Sequence, residues 1–130
     1  MSDESVTTLY RPVGQKELDL IAESGFLAFP PRLLGQPIFY PVLTKEYATR
    51  IAQDWNTRDK ASGFVGYVLQ FQVRKTFLDS YEIKTVGSKL EQEYWIPADQ
   101  IPALNENLVG PIKVIAQYLP SPAGHPASSR

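Results

Sequence analysis

Apolar and polar residues alternate most regularly from Val65 to Val73: Val65, Tyr67, Leu69, Phe71 and Val73 interleave with Gly66, Val68, Gln70 and Gln72. A period of two over that length predicts a strand. Residues 81–86 alternate in the same way and stop at Gly87, and residues 93–96 form a short extended run stopped by Pro97. Gly110 and Pro111 open a last strand over 112–118. Near the start, residues 7–11 are rich in β-formers and are expected to end at Pro12. Residues 38–42 predict a short strand, an edge or irregular one because Pro41 cannot donate to a ladder.

Helical spacing is confined to two main segments. Over 14–24, Leu18, Ile21 and Ala22 share a stripe, and Gly25 is placed to terminate the helix. Tyr47, Ala48, Ile51, Ala52 and Trp55 then recur at helical intervals behind Thr44, a plausible N-cap. Prolines break 29–37 into irregular chain, and the polar run 56–63 reads as an exposed loop. Residues 75–80 read as a turn with Phe77 and Leu78 tucked inward, and 98–104 as one or two helical turns. Strands outnumber helices and both main helices fall in the N-terminal half. The expectation is an α+β domain with a mixed or largely antiparallel sheet. It spans 7–119 between a disordered N-terminal tail, 1–6, and a disordered Pro/Ala/Ser tail, 120–130.

Composition changes this picture mainly by subtraction. The chain has 130 residues, 43% of them apolar, no cysteine and one histidine, with a formal net charge of -1. That content suits one core. Without cysteine there is no disulfide, thiolate nucleophile or cysteine-held metal. His125 lies in the Pro/Ala/Ser stretch, a poor place for a held general base, and no metal site is expected. The balanced charge gives no footprint for nucleic acid, Arg74-Lys75 being an isolated doublet. No apolar run approaches the ~20 residues that cross a bilayer, and the acidic start Met1-Ser2-Asp3-Glu4 is unlike a secretory leader. A soluble, cytoplasmic protein without membrane contact is expected.

Chemistry is therefore left to arginine, hydroxyls and carboxylates, and three segments offer it. Arg11 ends an apolar strand, where a guanidinium either pairs with a carboxylate or captures an anion with two parallel hydrogen bonds. Thr44 either caps the following helix or adds a hydroxyl beside its N-terminus. Glu91 and Glu93 face one side if the backbone is extended, and either lie in a solvated loop or converge on one ligand. Tyr94 and Trp95 beside them suit a core or a cleft wall.

In that order, Leu9-Tyr10-Arg11, the Phe39 to Ala48 segment with its Leu43-Thr44, and Glu91-Gln92-Glu93 resemble the ADP-ribosyltransferase-like fold of bacterial toxin domains. Glu93-Tyr94-Trp95-Ile96-Pro97-Ala98, Asn105 and Val109-Gly110-Pro111 also resemble the end of small domains of this type. The likeness spans about residues 7 to 118, with a Ser-Thr-Ser pattern reduced to Val42-Leu43-Thr44. It implies an NAD-dependent transferase that moves ADP-ribose to an acceptor, a protein among the candidates. On the resemblance, Arg11 would contact NAD's phosphates or nicotinamide ribose and Thr44 would position neighbouring groups. Glu93 would bind the ribose 2′-OH and stabilise the cationic centre left by nicotinamide. Glu91 would orient or deprotonate the acceptor, and Tyr10, Tyr40 and Tyr94 would stack on NAD's rings. The alternative is a non-catalytic α+β binding module. A glycosidase built on Glu91 and Glu93 ranks last, because both carboxylates would approach the sugar from the same side.

Overall fold

A computed structural model of the chain describes residues 5–89 and 91–120. Among them the order is β1 (Val6–Val13), α1 (Gln15–Glu23), β2 (Ile38–Phe39), α2 (Lys45–Asp54), β3 (Gly66–Arg74), α3 (Lys75–Leu78), β4 (Ile83–Thr85), β5 (Gln92–Tyr94), β6 (Ile96–Pro97), α4 (Ile101–Glu106) and β7 (Lys113–Tyr118). The fold is α+β and every strand pairing is antiparallel. The N-terminal tail expected over 1–6 gives way to β1 at Val6. Residues 1–4, and 121–130 with His125, lie outside the described residues.

The alternating stretch at 65–73 becomes β3, the centre of a three-stranded sheet ordered β1-β3-β7. β1 does not stop at Pro12 as expected but runs on to Val13, with Pro12 opposite Val68. The register explains the tolerance. The Tyr10 amide points away from β3 and donates to the Val42 carbonyl at 2.9 Å. Two residues later the Pro12 nitrogen faces the same way, so no β1–β3 hydrogen bond is lost.

Residues 38–42 do not form one strand either. Ile38 and Phe39 pair with β6, and Pro41 then turns the chain to a second set of partners. Val42 bridges Tyr10 of β1 on one side and Glu93 of β5 on the other. The Tyr94 amide donates to the Pro41 carbonyl at 2.9 Å and the Leu43 amide to the Gln92 carbonyl at 3.0 Å. Residues 41–43 are thus a seam that ties β5 to β1.

Helix α2 starts as expected, with the Thr44 Oγ1 accepting from the Tyr47 amide at 3.1 Å. It lies so close to β3 that a Cβ on Gly66 would sit 2.5 Å from the Ala52 carbonyl oxygen. Beneath it Val42, Ala48, Ala52 and Val68 form a small cluster. The main core lies on the other face, where Phe29 packs against Phe39 and Phe71 with ring centroids 4.9 and 4.8 Å away. Each such side chain, fully buried, contributes about 1.5–3 kcal/mol. Segment 29–37 carries no helix or strand, but its start is fixed. Asn105 accepts from the Phe29 amide at 2.8 Å and donates to the Phe29 carbonyl at 3.0 Å. The run 56–63 is not wholly exposed: it folds into two short 3₁₀ turns that bury Asn56, Thr57 and Ser62.

Candidate functional site

Residues of β1 and α1, the 30–36 segment, α2 and the turns after it, together with Val42 of the seam, line a cleft of about 680 Å³, within the size range of small-molecule sites. Arg11, Glu17, Arg32 and Tyr40 line one part of it, and Tyr47, Glu93 and Trp95 another. Among the described residues no hydrogen bond or ion pair joins Arg11 to Glu93. The Tyr10–Val42–Glu93 bridges put the Glu93 backbone two strand spacings, about 10 Å, from that of Tyr10.

Arg11 follows Leu9 and Val13 onto the core side of β1 and is 7% exposed. A buried guanidinium needs a partner, and Glu17 on the first turn of α1 supplies one. Nε donates to Glu17 Oε2 at 2.7 Å and Nη2 to Oε1 at 2.9 Å, a bidentate pair. Nη1 reaches the Tyr40 carbonyl at 3.5 Å, and the charge lies 4.4 Å from the Phe39 ring centroid. Arg32 stands behind this pair, 4.0 Å from Glu17 Oε1. Burial, and then the neighbouring Arg11 charge, hold its guanidinium below the ordinary arginine range.

Glu93 is 8% exposed, and each of its oxygens accepts from an uncharged donor. The Tyr47 hydroxyl donates to Oε1 at 3.1 Å and the Trp95 indole Nε1 to Oε2 at 2.6 Å. The Tyr47 phenol is pushed up to about 12, first by burial and then by the charge and hydrogen bond of Glu93. It therefore remains a donor at any physiological pH. Tyr40 meets Trp95 edge-on at 6.0 Å, so an aromatic corner adjoins the carboxylate.

The sequence-predicted residues divide clearly. Arg11, Tyr40 and Glu93 line the cleft. Thr44 does not line it but caps α2, one turn before Tyr47. Glu91 is also off the lining, ion-paired with Arg50 of α2 and accepting from the Ser88 amide at 2.7 Å. Tyr10 turns to the opposite face of β1, where it packs on the α2 cluster and accepts from Gln70 at 3.4 Å. Tyr94 belongs to the main core.

Sequence reasoning missed Tyr47, Glu17, Arg32 and Asn56. Tyr47 sits on the apolar stripe of α2, so its spacing marks it as packing and says nothing of its hydroxyl. Glu17 is six residues from Arg11 across a turn, a separation without a local pattern. The cleft also holds the Asn56 side chain, whose Nδ2 donates to Ser62 Oγ at 2.9 Å. Its buried Oδ1 has no hydrogen-bond partner among the described residues. Among those residues, no group of histidine, cysteine, aspartate and glutamate side chains could hold a metal ion, and no helix is long and apolar enough to cross a membrane. The chain matches no family model, no curated protein and no solved structure.

Proposed function

We propose that the cleft binds NAD and that the protein transfers ADP-ribose to an acceptor, with Glu93 as the catalytic carboxylate. The observation that carries this reading is the environment of Glu93: a buried carboxylate held by Tyr47 and Trp95 in a cleft that also contains two arginines. Both donors bind the ionised form, so the negative charge is preorganised. When the bond between the nicotinamide nitrogen and ribose C1′ breaks, its electron pair leaves with nicotinamide. The positive charge developing at C1′ is then offset by Glu93. The acceptor forms the new bond at C1′ and releases its proton to the medium. Glu91, paired with Arg50, has no part in this step.

The test is nicotinamide release from NAD by the wild type and by Glu93→Gln. Loss of one electrostatic contact made in the transition state lowers such rates about 10²–10³-fold, so the variant should release far less. Equal release by the two proteins would remove Glu93 from the mechanism.

One observation favours a second reading, a non-catalytic binding module. Arg11 already has a carboxylate partner in Glu17, as a structural arginine would. A ligand that binds only the folded chain raises its unfolding midpoint. No shift in millimolar NAD would select the module.

A further inference from the structure

The bidentate pair of Arg11 with Glu17 leaves the second arginine of the cleft in an unusual state. Arg32 follows Pro30 and Pro31, whose rings fix φ on the approach to it. The segment is anchored at Phe29 by both hydrogen bonds of Asn105. Arg32's side chain is 15% exposed, and its Nε is buried with no hydrogen-bond partner among the described residues. Among the described residues its one ionic contact is Glu17 at 4.0 Å, beyond hydrogen-bond distance. Glu17 is meanwhile engaged at both oxygens by Arg11. Two guanidiniums thus share one carboxylate, and the wall carries a surplus positive charge with an unmet donor.

The geometry points to Arg32, rather than Arg11, as the residue that binds a phosphoryl oxygen of the cleft's ligand. This rests on the proposed NAD reading and specifies where the pyrophosphate lies. A buried N–H without an acceptor is costly, and a planar fork with open donors matches two oxygens of a diphosphate. Burial and Arg11 both disfavour the Arg32 charge, so an anion placed there removes a penalty the free protein carries. Arg11 then has a supporting part: it holds Glu17 so that Arg32 is not neutralised by a full ion pair.

The test is calorimetric titration of the wild type, Arg32→Gln and Arg32→Lys with inorganic pyrophosphate and with ADP-ribose, each chain first checked by near-UV circular dichroism. Arg32→Gln should bind both at least about tenfold more weakly, the value of one charge-assisted hydrogen bond. Arg32→Lys should fall between, since it keeps the charge and loses the fork. If Arg32→Gln does not fold, the lysine variant decides alone. Unchanged affinity in the folded variants would overturn the assignment, as would absence of pyrophosphate binding to the wild type. Nicotinamide release is scored separately. Weakened pyrophosphate binding without any turnover of NAD would support Arg32 while rejecting the transferase.

Discussion

Replacing Tyr47 by Phe keeps the ring on the α2 cluster and deletes only the hydroxyl that donates to Glu93 Oε1. Glu93 has one protein donor per oxygen, so the change strands half of a carboxylate that is 8% exposed. A hydrogen bond to a charged group contributes about 1.5–3 kcal/mol. The cleft is open to water, which can replace part of the loss, so the lower end applies. About 1.5 kcal/mol corresponds to a fall in Tm of roughly 5 °C for a chain of this size. The pH dependence follows from the phenol's elevated affinity for its proton. Burial is the first cause, Glu93 the second and Glu91 the third, with Arg50 opposing. Because the folded value is raised from 10.0 to about 12, the contribution is complete below 10.0 and is lost as pH rises through about 12. Urea unfolding of both chains near neutral pH measures the first quantity. The difference between their phenolate absorbance titrations isolates the second. Equal stability near neutral pH, or a Tyr47 midpoint at the ordinary tyrosine value, would refute the reasoning.

Thr44→Ala should cost about 1 kcal/mol of stability in thermal unfolding through the lost cap, with nicotinamide release unchanged once the variant is held below its melting range. A selective fall in release would instead return Thr44 to the site. Asn105→Ala removes both hydrogen bonds to Phe29. It should destabilise the fold by about 1–3 kcal/mol and speed amide exchange over residues 29–36 more than in β3. Uniform exchange would show that Asn105 does not fix that segment.

Where hydrophobic period and local chemistry agree, the sequence was readable. β3 alternates along its length except at Val68, which is buried beside Leu69, and α2 combines an apolar stripe with a Thr cap, so both lie within a residue or so of expectation. Pro12 misled because a proline's effect depends on which side its missing N–H faces, and that is set by a partner strand far along the chain. Residues 38–42 are short and irregular as expected, but that Pro41 marks a change of partners was not legible. The polar run 56–63 buries Asn56, Thr57 and Ser62 in mutual and backbone hydrogen bonds that polarity alone does not reveal. Arg11 and Glu93 were legible as charges beside apolar strands. Two of their partners were not: Glu17 and Tyr47 are chosen by tertiary geometry, whereas Trp95 is the local neighbour two residues along, and Glu91, two residues before Glu93, goes to Arg50 instead.

The seam at 41–43 also fixes how far apart the two charged sides of the cleft stand. Parting β5 from β1 like two jaws would break the backbone hydrogen bonds on one side of the seam or the other: those between Tyr10 and Val42, or those from Leu43 and Tyr94. Beyond Arg32, Leu33 and Leu34 stand exposed on the rim, with a turn closed from the Gln36 amide to the Leu33 carbonyl. The spacing between the strands that carry Arg11 and Glu93 is held by backbone hydrogen bonds on each side of residues 41–43.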